Sequence, residues 1–275
     1  MAGAAVLVLL GGAGALAAGS WAGSWAGSAA GTASSTASST ASGKQAADER
    51  IVLGSGRSYV LHDPPELREQ PSLAAGRPVL VVLHGLLGDP SDIALGTGFD
   101  ALADRDGVRV AYPAGVRRSW NAGLCCGEAS AHEVDDVAFL SDIVTDLRAR
   151  GAGRVSVVGF SNGGMMAYRF ACAQPDKVDV VGVMSGTLEV PRCAGPVRAL
   201  HLHGERDTLV PFDGDAFSEP LQAFLRPVPT IADAAPGSTI TIRELPGHGH
   251  SWAAPPGDVD ATEEFWRFAR MSEPS

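Results

Sequence analysis

The chain has 275 residues, 45% of them hydrophobic and 19% charged, which suits one α/β domain with a full core. Its 31 acidic and 21 basic residues leave a net charge of -10. That excess of acid argues against nucleic acid or an anionic membrane surface as the main partner.

Met1 to Ala18 is uncharged and rich in small apolar residues, with Val6 to Leu10 at its centre. Residues 1–18 read as the apolar part of a signal peptide, too short and too rich in Gly and Ala for a membrane span. The basic residues that usually precede such a region are missing. Small residues around Ala15-Leu16-Ala17 suit a signal peptidase. The mature protein is therefore expected to be secreted or held at the cell envelope, with no stable membrane insertion after signal removal. No cysteine follows, so a bacterial lipid anchor is not expected. An uncleaved anchor with a linker is the other reading. Residues 19–43 are Ser, Thr, Ala and Gly, with Trp21-Ala22-Gly23-Ser24 repeated as Trp25-Ala26-Gly27-Ser28. Such a segment buries too little apolar surface to fold and is expected to be a flexible linker. Residues 44–275 carry the folded domain.

Ile51 to Leu53 and Tyr59 to Leu61 flank Gly54-Ser55-Gly56-Arg57, which predicts an antiparallel hairpin. After a Pro-rich loop, the continuous apolar run Val79 to Leu83 reads as a strand buried on both faces. Gly98 to Asp106 reads as a helix and Val108 to Tyr112 as a strand stopped by Pro113. Val134 to Arg150 carries apolar residues at Val137, Leu140, Ile143, Val144 and Leu147, the spacing of an amphipathic helix. Asp135 and Asp136 open this helix as an acidic pair that suits a cap and the helix dipole. A strand at Arg154–Val158, a helix at Met165–Gln174, and strands at Val178–Met184, Val197–His203 and Thr239–Leu245 follow. The last helix spans about Thr262 to Met271, with Phe265, Trp266 and Phe268 for the core. Strands alternating with helices after a hairpin predict a mostly parallel sheet covered by helices on both faces. Sites in such sheets lie at the carboxyl ends of the strands.

The most informative stretch is Val155-Ser156-Val157-Val158-Gly159-Phe160-Ser161-Asn162-Gly163-Gly164. It is a buried strand, a Gly-x-Ser-x-Gly turn and then a helix, the context of a nucleophile elbow. Gly159 and Gly163 keep side-chain bulk away from the tight turn, and the helix start offers backbone N–H groups to an oxyanion.

A serine nucleophile needs a base, and in this architecture the chain order is Ser, acid, His. Of seven histidines, His62, His84 and His132 come too early. His201 and His203, within and at the end of a strand, read as packed or hydrogen-bonded strand histidines. His248 and His250 lie in Pro246-Gly247-His248-Gly249-His250-Ser251-Trp252, a loop after the last strand where a catalytic histidine belongs. After the penultimate strand, His203-Gly204-Glu205-Arg206-Asp207 offers Asp207 as its first aspartate to orient an imidazole. Asp213 and Asp215 come later, in what reads as surface loop. For the oxyanion hole, Asn162 offers one backbone N–H and Leu86, in His84-Gly85-Leu86-Leu87-Gly88, the other. Gly85 permits close backbone approach, and His84 reads as loop support.

Cys125, Cys126, Cys172 and Cys193 make an even count, which in an exported chain suggests disulfides. A 172–193 bridge fits the predicted elements. Cys125 and Cys126 are then a vicinal pair or two free thiols. Their spacing does not suit a metal.

Several further segments join these: Leu83-His84-Gly85, Ser119-Trp120-Asn121, Cys125-Cys126-Gly127, Val134 to Leu140, Gly159 to Met165, His203 to Asp207 with Val210-Pro211, and Gly249-His250-Ser251-Trp252. In this order and spacing, over about residues 50 to 270, the chain resembles the polyhydroxybutyrate depolymerase and feruloyl esterase group of α/β-hydrolases, including secreted LpqC-like esterases. The resemblance implies an α/β-hydrolase fold over residues 44–275 and a carboxylic-ester hydrolase. It implies Ser161, Asp207 and His250 as the triad, His250 being preferred over His248. Trp120-Asn121 and Asp135-Asp136 then border or brace the site. No metal or organic cofactor is implied, and the expected partner is a small or oligomeric ester. No separate substrate-binding domain is expected, the stretch after Met271 being too short. Residues 206–238 are the only place for a modest cap, so short or soluble esters are favoured over long-chain lipids. The competing readings are an acyltransferase or peptidase on the same fold and a non-catalytic cell-surface binding module.

Overall fold

The computed structural model describes residues 48–214, 217–218, 223–228 and 236–271. The signal-like segment 1–18, the linker 19–43 and part of the expected cap at 206–238 lie outside the described residues.

Strands β1 (Glu49–Val52) and β2 (Ser58–His62) pair antiparallel, as the hairpin reading expects. A short helix α1 (Pro65–Glu69) leads to β3 (Val79–Leu83), all five residues of which are buried. Then come α2 (Pro90–Thr97), α3 (Phe99–Asp106) and β4 (Arg109–Pro113). Helix α4 (Gly127–Ala131) and the long α5 (Asp136–Ala149) precede β5 (Val155–Phe160) and α6 (Asn162–Ala173). Strands β6 (Val180–Met184), β7 (Arg198–Gly204) and β8 (Thr239–Leu245) and helix α7 (Ala261–Arg270) complete the set, with a small two-stranded ribbon at Phe217–Ser218 and Ala223–Phe224.

The main sheet has eight strands in the order β1-β2-β4-β3-β5-β6-β7-β8. β2 is antiparallel to β4, and every pair from β4 through β8 is parallel. The period of two along a strand explains the double core. Val79, Val81 and Leu83 pack with Phe139, Ile143, Met165 and Phe170 of α5 and α6 on one face. Leu80 and Val82 pack with Phe99, Leu102, Phe265 and Trp266 of α3 and α7 on the other. Each such buried Val, Leu or Phe side chain is worth about 1.5–3 kcal/mol.

Helix α2 lies where the sequence predicts no helix. Asp89 caps it, accepting from the N–H groups of Ser91 (2.9 Å) and Asp92 (3.0 Å), while Asp92 accepts in return from the Asp89 N–H (3.1 Å). Pro90 supplies a preset first turn. Gly98 (φ 71°) ends α2 in the left-handed conformation and starts α3 in a new direction.

Cys172, near the end of α6, is bonded to Cys193, and Cys125 to Cys126 across a cis peptide bond. Replacing both Cys172 and Cys193 by Ala opens a loop of 21 residues. In the chain-entropy model this costs about 3 kcal/mol, to be read in urea unfolding.

Candidate active site

β5 delivers Ser161 into a strained turn. Its backbone has φ 53° and ψ -124°, a left-handed region a non-glycine residue occupies at a cost of order 1–3 kcal/mol. The surroundings over-determine it: the Ser161 N–H donates to Met184 O of β6 (2.9 Å), and Ser161 O accepts from the Met165 N–H (3.0 Å). The glycines are required by approach. A Cβ on Gly159 would stand 2.3 Å from Gly163 O, and one on Gly163 would stand 2.3 Å from His84 O and 2.4 Å from Leu83 O. Close packing of α6 over β5 therefore needs Gly159, and over the end of β3 it needs Gly163. It also explains why α6 begins at Asn162, three residues before the predicted start, despite the poor helix propensity of Gly163 and Gly164.

The acid and histidine come from the loops after β7 and β8. His250 Nε2 lies 3.0 Å from Ser161 Oγ, and His250 Nδ1 lies 2.7 Å from Asp207 Oδ2. The other Asp207 oxygen, Oδ1, accepts from the Leu209 (3.1 Å) and Val210 (2.8 Å) N–H groups. Burial alone would push the Asp207 carboxyl up, but the His250 hydrogen bond and charge and the Val210 amide outweigh it. The group is held below the usual carboxylate range. An ionised Asp207 accepts only, so the proton on Nδ1 of His250 donates to it, and Nε2 is left to accept from the Ser161 hydroxyl. The Phe160 ring, 5.0 Å from the His250 ring, backs the imidazole.

His248 stands apart from this line. Its Nε2 contacts Ser251 O (3.0 Å) and Ser251 Oγ (3.2 Å). Asp213, the later acid, lies in the half-exposed turn 211–214, and Asp215 falls outside the described residues.

The loop after β3 abuts the elbow. A Cβ on Gly85 would lie 3.4 Å from Ser161 Cβ. Within that loop the Leu87 N–H donates to Arg118 O (2.8 Å) and the Gly88 N–H to Gly85 O (3.0 Å). His84 holds the loop: Nδ1 donates to Gly85 O (2.8 Å), Nε2 accepts from the Gly115 N–H (3.1 Å), and the Trp120 indole N–H donates to His84 O (2.9 Å). Asn162 opens α6, so its backbone N–H is one of the first-turn donors with no partner within the helix.

Its side chain contributes as well, which the sequence does not show. Asn162 Oδ1 accepts from the Trp120 N–H (2.8 Å), and Nδ2 donates to Trp120 O (3.0 Å). This two-bond clasp joins the Ser161 turn to a loop about forty residues earlier, a pairing no local pattern reveals. The next residue, Asn121, donates its backbone N–H to Asp136 Oδ2 (2.7 Å), and Asp136 Oδ1 pairs with Arg57 Nη1 (2.7 Å). Asp135 caps α5 by accepting from the Ala138 N–H, so the two acids divide the roles: one caps, the other braces. Because the Asp136 side chain is fully buried, Asp136→Ala strands Arg57 and the Asn121 amide. The expected loss is about 3–5 kcal/mol in chemical denaturation.

Among the described residues, Asp48, His62 and Asp100 could together hold a metal ion, their atoms lying within 4.8 Å of one another. They sit just before β1, in β2 and in α3, and His62 already bonds Asp48 (2.9 Å) and Asp104 (3.0 Å). No helix among the described residues is long and apolar enough to cross a membrane.

The fold is that of the α/β-hydrolases. It aligns with esterase PE8 (TM-score 0.53, 23% identity, 72% of this chain and 94% of that one) and with an acetyl xylan esterase from Aspergillus awamori (TM-score 0.56, 15% identity, 81% and 99%). The family model described as "Esterase PHB depolymerase" matches residues 58–210, and the chain belongs to that family. It is 36% identical over 207 residues to NocK of Nocardia uniformis subsp. tsuyamanensis, which bears an esterase name, covering 72% of this chain and 57% of that one. It is 33% identical over 174 residues to a protein named probable feruloyl esterase C from Aspergillus terreus, covering 58% of each. The bifunctional acetylxylan esterase/xylanase XynS20E of Neocallimastix patriciarum is 26% identical over 250 residues, covering 82% of this chain and 35% of that one. The chain thus spans less than two thirds of the length of these relatives.

Proposed function

We propose that the protein is a secreted serine carboxylesterase that cleaves short-chain, hydroxyalkanoate or feruloyl-type esters, with residues 44–275 as its catalytic domain. The observation that carries this reading is the unbroken hydrogen-bonded line Ser161–His250–Asp207 at the carboxyl end of the sheet. Family membership and the names of the similar proteins support ester chemistry. Two disulfides and the apolar segment 1–18 support export.

The chemistry is two-step acyl transfer. His250 takes the Ser161 proton at Nε2 as Oγ attacks the ester carbonyl. The imidazolium formed is stabilised by ionised Asp207 at Nδ1. The tetrahedral oxyanion sits against the N–H groups of Asn162 and Leu86, the Leu87 and Gly88 amides being bonded elsewhere. His250 then protonates the leaving alcohol, and water repeats the sequence on the acyl-enzyme. The reading calls for no metal or organic cofactor.

The test is a p-nitrophenyl ester series from acetate to octanoate. Turnover that is highest on the short chains and falls steeply by octanoate supports the reading. Folded protein inactive on these esters, on feruloyl esters and on hydroxybutyrate oligomers overturns it.

A further inference from the structure

Directly behind the acid, β7 carries two histidines that the proposed chemistry does not use. His201 and His203 lie on one face of the strand, and neither they nor Tyr168 of α6 is exposed to solvent. The three rings are nearly parallel, at 13° between Tyr168 and His201 and 3° between His201 and His203. Tyr168 Oη lies 3.0 Å from His201 Nδ1, His201 Nε2 lies 3.0 Å from His203 Nδ1, and His203 Nε2 lies 2.8 Å from Val210 O.

The terminal carbonyl fixes the direction of every bond. Val210 O accepts only, so His203 carries its proton on Nε2. In the neutral ring Nδ1 then accepts, which requires the proton of His201 on Nε2. His201 Nδ1 accepts in turn, so the Tyr168 hydroxyl donates. One proton sits in each gap and both imidazoles are neutral. Burial pushes both below the ordinary histidine range, helped by His203 at His201 and by His250 at His203, so they stay neutral where a triad works.

Val210 is the residue that matters at the far end. Its N–H donates to Asp207 Oδ1, while its C=O receives the chain. His203 Nε2 also lies 3.6 Å from Asp207 Oδ2, the oxygen facing His250. We propose that Tyr168, His201 and His203 are positioning residues: a one-way hydrogen-bond chain that clamps the Asp207–Val210 turn and so aims the Asp207 carboxylate at His250. The proposal rests on the triad reading above.

The test compares His203→Gln with His203→Asn. Both substitutes are polar and uncharged. Gln can reach Val210 O with an N–H donor, whereas Asn ends near the position of Nδ1 and cannot. The expected result is a kcat loss of roughly 10²-fold for His203→Asn with little change in KM, the effect of a misplaced catalytic group. Most of the activity is kept in His203→Gln. In proton NMR the far-downfield resonance of the proton between His250 and Asp207 is retained in the Gln variant and displaced in the Asn variant. A folded His203→Asn protein with wild-type kcat and resonance overturns the proposal. Tyr168→Phe removes one hydroxyl and serves where the strand variants fail to fold. A kcat loss of a few-fold or more at unchanged KM is expected there, and an unaltered kcat and resonance overturns the proposal. Ser161→Ala run alongside separates the two levels. Activity lost there with His203→Asn unaffected removes the chain's role alone, while activity retained in Ser161→Ala removes the triad reading and this inference together.

Discussion

Ser161→Ala is expected to lower kcat on p-nitrophenyl acetate by about 10⁶-fold, into the background of the assay, with the fold intact. The size follows from what is removed. Without Oγ there is no acyl-enzyme, and His250 loses the only proton it is placed to take. The fold should survive because alanine keeps the Cβ. The strained φ of 53° costs the same as before, and the N–H bond to Met184 O is unchanged. Circular dichroism and thermal melting check that half of the expectation. A folded Ser161→Ala protein retaining a tenth of the activity would mean that another group attacks the ester.

Asp207→Asn is the second large effect, a loss of about 10⁴-fold in kcat with KM and melting temperature nearly unchanged. The geometry dictates which way the new amide turns. The Leu209 and Val210 N–H groups both point at Oδ1, so the single oxygen of asparagine takes that place. Its NH₂ then faces His250 Nδ1, which must accept. The imidazole proton is driven to Nε2, where it meets Ser161 Oγ and cannot act as base. The variant keeps its packing and loses its tautomer. A side chain on the outside of the line behaves otherwise: His248→Ala, which removes the hydrogen bonds to Ser251, should leave kcat within about twofold.

The parts of this site that could be read in the sequence are those set by local physics. Strands buried on both faces appear as unbroken apolar runs, and Val79–Leu83 is buried at every residue. The elbow glycines were legible because a turn of that curvature has no room for a Cβ. The order of acid and histidine loops after β7 and β8 follows from the topology. What escaped is either short or long-range. Helix α2 buries only Ile93 and Thr97, so it has no apolar period to detect, and its signal is the Asp89–Asp92 capping pair. Helix α4 is five residues long. The Asn162–Trp120 clasp, the Asp136–Arg57 brace and the Tyr168–His201–His203 chain join residues far apart in sequence. His201 and His203 read from the sequence as packed or hydrogen-bonded strand histidines, and their two-residue spacing puts them on one face. Their direction toward Val210 needed the tertiary partners.

If Ser161 is a nucleophile activated by His250, the folded protein should react with a p-nitrophenyl phosphonate ester, as read by intact-mass measurement and peptide mapping. One equivalent of p-nitrophenol is released per chain and one phosphonyl group added, that group on the peptide carrying Ser161, with labelling slowed by orders of magnitude in Asp207→Asn. Folded protein that stays unlabelled, or that carries the group on any other residue, would contradict this role of Ser161.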